Sequence, residues 1–232
     1  MDLKENEQIE DLGLENLKVI QDPNGYCFGT DSVLLSNFVK AMHTDKCLEL
    51  CSGGGAVSFL VWGKKHPLTI DGVDLQTRLC DMANRSSTLN GLEDKIKFIN
   101  ISLQEAPNIL GNRVYDVIFC NPPYNLLGTI NCDDEERRIA RQEVKMNLEE
   151  LILSVSKLLK FGGKFYLIYR ADRLAEVCSV LNKNCITPKV MQLVYSNPTK
   201  NAELVLFECM SGAKNGIQVL QPITLYKQDN LQ

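Results

Sequence analysis

From about residue 45 onward the apolar residues of this chain fall into two alternating rhythms. Short runs dense in Val, Ile, Leu and aromatic residues read as strands: KCLELC (46–51), TIDGVDL (69–75), KIKFINI (95–101), VYDVIFC (114–120), GKFYLIYR (163–170), KVMQLVYS (189–196) and AELVLFEC (202–209). Helical segments lie between them at 55–65, 77–91 and 103–110, and later at 147–160 and 172–183. In NLEELILSVSKLLK (147–160), Leu148, Leu151, Ile152, Val155, Leu158 and Leu159 repeat at helical spacing, which predicts one buried face. Asn147 is placed to cap this helix, and Gly162-Gly163 to end it.

Strands that alternate with helices predict βαβ units and a mainly parallel sheet. The last two strands have no helix between them. The turn-rich segment SNPTKN (196–201) therefore predicts an antiparallel pair. The expected fold is α/β and Rossmann-like, with a seven-stranded mainly parallel sheet and an antiparallel C-terminal strand. No linker rich in Pro, Gly or Ser divides the 232 residues. One domain over 1–232 is expected, with 1–45 as an N-terminal extension packing on it.

A composition that is 44% hydrophobic and 23% charged is that of a soluble globular protein. No apolar run reaches the length of about 18 residues that a membrane helix needs. The acidic N-terminus lacks the apolar core of a secretory signal, so a cytoplasmic protein is expected. The nine cysteines are scattered and none forms a CxxC pair, which predicts reduced thiols. With only His43 and His66 available, no zinc or nonheme iron site is expected. The net charge of −4 argues against a non-specific nucleic-acid coat, so any nucleic-acid contact must come from local Lys and Arg. A monomer is expected.

Candidate chemistry begins at LELCSGGGAVSFL (48–60), a strand, a glycine-rich turn and a helix. Gly53, Gly54 and Gly55 allow the backbone to approach a ligand closely. The spacing is not that of G-x-G-x-x-G. Asp74 follows at the end of the next strand, where a carboxylate can accept both ribose hydroxyls or simply cap a helix. Together these two elements indicate an adenosine-type cofactor. They do not choose between a nicotinamide cofactor and S-adenosylmethionine.

Asn121-Pro122-Pro123-Tyr124 makes that choice. It follows the strand VYDVIFC, at the sheet edge where ligands bind in such folds. The two prolines fix the backbone and remove two donors, leaving carbonyls without competing N–H groups. An amine on a flat ring is a poor nucleophile because its lone pair is delocalised. The Asn121 side-chain oxygen and a carbonyl of the Pro pair can each accept one N–H of that amine. Tyr124 can stack on the base and hold it in line with a methyl donor.

The series LELCSGGG, VDLQ and VIFCNPPY resembles amino-methyltransferases that act on adenine, guanine or glutamine. The opening Asp22-Pro23-Asn24-Gly25-Tyr26-Cys27-Phe28-Gly29-Thr30-Asp31-Ser32-Val33-Leu34-Leu35 is similar to that of bacterial tRNA1(Val) (adenine-37-N6)-methyltransferases. Arg141-Gln142-Glu143, Tyr169-Arg170 with Arg173, and the closing AELVLFE extend the likeness over nearly the whole chain. The resemblance implies a class I methyltransferase fold, S-adenosyl-L-methionine as cofactor and tRNA as partner. It implies that Glu49, Gly53, Gly55, Asp74 and Leu75 hold the cofactor, with Asn121 at the same site, and that Thr30 and Asp31 help close the pocket. Asn121, Pro122, Pro123 and Tyr124 would hold the adenine. Two positions depart from the family pattern. Cys51 stands at the first glycine of the turn. Ser102 stands where an acidic residue usually meets the cofactor's adenine, and it offers a weaker hydrogen bond than a carboxylate.

The stretch 125–147 mixes Arg137, Arg138, Arg141 and Lys145 with five acidic residues. Such a run reads equally as solvated surface or as a loop whose cations meet RNA phosphates. Arg170 and Lys200 are further candidates for RNA contact. Trp62 reads as core. Rival readings are methylation of another nitrogen (in rRNA, in DNA adenine or in protein glutamine), a nicotinamide oxidoreductase, and a non-catalytic RNA-binding module. A DNA enzyme would be expected to bring a recognition domain, and a glutamine enzyme a helical domain before the turn. An oxidoreductase would leave the NPPY motif unexplained.

Overall fold

The computed structural model describes residues 3–25, 27–123 and 147–226. A hairpin of β1 (Gln8–Asp11) and β2 (Lys18–Gln21) comes first, then α1 (Thr30–Phe38). The alternation follows with β3 (Lys46–Leu50), α2 (Ala56–Lys65), β4 (Thr69–Asp74), α3 (Thr77–Leu89), β5 (Ile96–Asn100), α4 (Ala106–Leu110) and β6 (Tyr115–Cys120). Beyond residue 147 come α5 (Leu148–Leu158), β7 (Leu159–Arg170), α6 (Leu174–Lys183), β8 (Ile186–Tyr195) and β9 (Leu204–Ser211). Two short strands close the chain, β10 (Gln218–Val219) and β11 (Ile223–Thr224).

The main sheet runs β10-β8-β9-β7-β6-β3-β4-β5, with β11 also on β8. Strands β3 to β7 are mutually parallel, and β9 is antiparallel to both β7 and β8. The seven expected strands are present in this order, and β9 supplies the antiparallel element. Because helices cover both faces, the central strands are buried on both sides and read as continuous apolar runs. In β6 the alternation is clear: Val117 and Phe119 join the layer of α1, α2 and α3, and Ile118 and Cys120 join that of α5 and α6. Helix α5 begins as its sequence predicts, with Asn147 Oδ1 accepting the Glu149 N–H at 3.0 Å, a cap contributing about 1 kcal/mol.

Helix α5 ends differently from the expectation. Leu159 is already extended, at φ −79° and ψ 133°, and β7 starts there. Gly162-Gly163 therefore lies inside a strand rather than after a helix. Gly162 takes φ +75°, and the β6–β7 register shifts between Tyr115 and Val117. The glycines allow a bulge, where their flexibility suggested a helix stop.

The N-terminal residues form a hairpin and a helix. Strand β2 is buried over Val19–Gln21 and packs on α3. Arg78 on α3 reaches Asp22 at 2.5 Å, fixing the segment that leads to α1. Among the described residues no helix is long and apolar enough to cross a membrane.

Candidate active site

The C-terminal ends of the parallel strands form the functional edge. A cleft opens between the β3–α2 turn, the segment after β2 and the end of β6. The turn contributes Cys51, Ser52, Gly53 and Gly54, and the start of α2 adds Ala56 and Val57. Glu49 and Asn121 line it from the sheet. Gln21, Phe28 and Ser32 line it from the N-terminal segment. The end of β3, the turn after it and the residue after β6 thus bring Glu49, Cys51, Gly53 and Asn121 to one place. Thr30 is exposed and Asp31 half-buried on the first turn of α1, next in sequence to the cleft-lining Phe28 and Ser32. A helix turn carries every third or fourth side chain to the same side, so the GTDS sequence alone does not say which of its residues faces inward.

The turn itself is left-handed at three positions: Cys51 at φ +57°, Gly53 at +52° and Gly55 at +80°. This accounts for a glycine preference at position 51, where an ordinary side chain is strained. The Ser52 N–H donates to Val73 O at 3.0 Å and the Gly55 N–H to Ser52 O at 2.8 Å. The Ser52 hydroxyl is buried and has no partner, although the residue lines the cleft. A buried hydroxyl without a bond is costly, and a polar ligand would satisfy it.

Glu49 is 1% exposed. Its Oε2 accepts the Ser58 N–H at 3.0 Å and the Ser58 hydroxyl at 2.5 Å, satisfying an otherwise orphan donor in the first turn of α2. Burial pushes its acid up to about 8, and the nearby Asp74 charge adds to this, against the two Ser58 bonds. Burial thus favours its neutral form up to that value.

Asp74 ties the second strand to the turn. Its Oδ2 accepts the Gly53 N–H at 2.8 Å and its Oδ1 the Gln76 N–H at 2.9 Å. It thus braces the approach to α3 and sits beside the glycine turn. Burial raises its pKa, opposed by these backbone bonds. Asn100, at the end of β5, donates to Asp74 O at 3.0 Å and Leu75 O at 2.8 Å, and accepts from the Thr77 hydroxyl at 2.8 Å. Nothing in its sequence context singled it out. Leu75 is exposed at this tip.

Ser102 has another employment. Its hydroxyl donates to Glu105 Oε2 at 2.6 Å and accepts the Glu105 N–H at 3.3 Å, while its own N–H donates to the same carboxylate at 3.1 Å. This is the reciprocal pattern of a capping box before α4.

Asn121, Pro122 and Pro123 follow β6 directly, with Asn121 half-buried, Pro122 buried and Pro123 exposed. Tyr124, Arg137, Arg138, Arg141 and Lys145 lie outside the described residues. Arg170 and Lys200 stand on the same edge of the sheet, at the end of β7 and in the β8–β9 turn. Arg170 is paired with Asp172, and Lys200 is exposed.

The strand order and this edge are those of a Rossmann-like class I methyltransferase. The chain belongs to the methyltransferase small domain family, whose model matches residues 18–187. Curated relatives named tRNA1(Val) (adenine(37)-N6)-methyltransferase include those of Porphyromonas gingivalis, 25% identical over 64% of this chain and 60% of the relative, and of Dyadobacter fermentans, 27% identical over 62% and 58%. That of Yersinia pestis is 29% identical over 60% and 56%. The chain thus spans about three fifths of the length of these relatives. Among solved structures, a predicted O-methyltransferase from Agrobacterium tumefaciens superposes with a TM-score of 0.70 at 18% identity, covering 87% of this chain and 90% of that one. A putative transferase from Pyrococcus horikoshii gives 0.63 at 12% identity, over 90% and 74%. These likenesses concern the fold.

Proposed function

We propose that this chain transfers a methyl group from S-adenosylmethionine to the N6 amine of an adenine in tRNA, and that the adenine is position 37 of tRNA1(Val). The observation that carries the reading is that Asn121 and the glycine turn share one cleft. Glu49, Cys51 and Gly53 line that cleft with Asn121, so a cofactor on the turn and a base on the Asn-Pro-Pro segment would be neighbours. The names of the relatives supply the tRNA and the position.

The cleft's own chemistry suits the cofactor. The unpartnered Ser52 hydroxyl offers a polar contact. Glu49 suits a positive charge, and Asp74 keeps lone pairs beyond its two backbone bonds for ribose hydroxyls. Leu75 presents an apolar surface to a purine. When bound, the cofactor supplies a methyl group already activated on a sulfonium, so the protein needs no strong base. Asn121 accepts one N–H of the target amine through its side-chain oxygen, and the prolines leave carbonyls able to accept the other. Thr30, Asp31, Cys51 and Ser102 take supporting places around the pocket: Ser102 by holding the start of α4, Cys51 by forming the turn. Tyr124 stacks on the base. Arg137, Arg138, Arg141, Lys145, Arg170 and Lys200 are proposed to meet RNA phosphates.

Calorimetry of the purified chain with S-adenosylmethionine and with NADH tests the cofactor. Binding of the first alone is expected, and binding of NADH alone would replace the reading with an oxidoreductase. Asn121→Ala should abolish transfer and leave cofactor binding within a few-fold. Turnover like wild type in that variant would remove Asn121 from its role.

A further inference from the structure

The glycine turn holds a cysteine at a position where the backbone is left-handed, and that conformation re-aims its side chain. In β3 the side chains alternate, with Leu48 and Leu50 on the α5–α6 face and Cys47 on the other. Continued alternation would send Cys51 to the Cys47 face. At φ +57° it lies instead against the cluster that contains Leu50 and Cys120. Cys120 is the last residue of β6, the register partner of Leu50, and the residue before Asn121. Cys51 is thus the chain neighbour of the residue paired with Cys120 across parallel strands about 4.8 Å apart, a placement that brings the two cysteines close enough for a disulfide to be tested. The neighbouring Cys51 is, after burial, one of the groups that push the Cys120 thiol upward.

Their exposures are unequal. Cys51 is half-buried and lines the cleft, whereas Cys120 is fully buried. Burial also pushes the Cys120 thiol well above its usual range. A small oxidant entering the cleft therefore meets Cys51 first, with a second thiol waiting behind it.

We propose that Cys51 and Cys120 form a dithiol site that hydrogen peroxide oxidises to a disulfide, and that this bridge disables the cofactor cleft. The Cys51 sulfur attacks peroxide, an S–O bond forms as the O–O bond breaks, and water leaves with the sulfenic acid in place. The Cys120 sulfur then attacks the Cys51 sulfur. An S–S bond forms, the S–O bond breaks and a second water leaves. The thiols together give up two electrons and the peroxide takes them. The bridge fastens the turn to the end of β6 one residue before Asn121, so neither wall can adjust to a ligand. The effect on the cofactor rests on the reading above, but the linkage does not.

The test treats the purified full chain with graded hydrogen peroxide, maps cysteine-containing peptides by mass spectrometry without reduction, and measures the S-adenosylmethionine Kd by calorimetry on the same samples. A linked Cys51–Cys120 peptide, at least a ten-fold rise in Kd and reversal of both by dithiothreitol are expected. Cys120→Ser should give no linked peptide and no peroxide-dependent rise, and Cys51→Ala, at a less buried position, should behave alike. Oxidation of the exposed Cys27 and Cys185 with no Cys51–Cys120 peptide would overturn the site. A linked peptide with unchanged Kd would overturn its effect. If reduced protein binds no S-adenosylmethionine, the cofactor reading fails, while the linked peptide still decides the dithiol site.

Discussion

A methyl group on Gly55 would lie 2.4 Å from Cζ of Phe98, and one on Gly72 would lie 2.3 Å from its Cδ1. The Phe98 ring, projecting from β5, fills the space beneath the glycine turn. Gly55 is therefore held by two constraints at once, a left-handed backbone and a filled space. Gly55→Ala should destabilise the chain by about 2–4 kcal/mol, combining left-handed strain with overpacking. Gly55→Ala with Phe98→Leu should recover the packing part only. Urea denaturation of the three proteins checks this, and a Gly55→Ala variant as stable as wild type would show that the ring does not support the turn.

The protonation of Glu49 predicts a pH dependence. Folded, its acid titrates at about 8, and unfolded it returns to the ordinary 4.5. Between those values the folded chain holds the proton that the unfolded chain has lost. Stability from this group is undiminished below the lower value and declines as pH rises through the interval, by a few kcal/mol in order of magnitude. Glu49→Gln removes this decline. Denaturation midpoints at pH 5.5 and 8.5 should converge for the variant, and parallel shifts in both proteins would assign the dependence elsewhere. A cationic ligand in the cleft should favour the ionised form, so binding should release protons near neutral pH, seen as a buffer-dependent calorimetric enthalpy.

Asn100 holds the Asp74–Leu75 segment by two hydrogen bonds and Thr77 by a third, without lining the cleft. Asn100→Ala should raise the KM for S-adenosylmethionine about ten-fold, the cost of roughly one or two hydrogen bonds, with kcat little changed. A fall in kcat at constant KM would place its influence on the base rather than on the cofactor.

The alternation of strand and helix, and with it the parallel sheet, was legible because both faces of the central strands are buried and their runs are dense. Asn147 was legible because a cap acts locally. The Gly162-Gly163 pair misled because the same backbone freedom serves a helix stop and a bulge, and only the pairing of β6 with β7 decides. Strands β10 and β11 are two residues each and exist through their pairing with β8, so no period announces them. The motif residues of the cleft could be named from their order, yet Phe98 and Asn100 act through neighbours brought close by β5. Ser102 could be placed after its strand, but its bond to Glu105 became visible only with the side chains in space.

The proposed RNA contacts predict a salt dependence. Lys200→Ala and Arg170→Ala should each weaken tRNA binding similarly for all tRNAs and lower the slope of log K against log salt by about 1. The Arg170–Asp172 pair makes Arg170 the smaller effect. An unchanged slope in both would move the RNA path away from this end of the sheet.

The central claim is tested most directly by incubating the purified chain with unmodified tRNA1(Val) and S-adenosylmethionine, then analysing the digested nucleosides by mass spectrometry. The account predicts one N6-methyladenosine per tRNA with wild type and none with Asn121→Ala. Cofactor binding without any methylated adenosine in this or any other tRNA would contradict it.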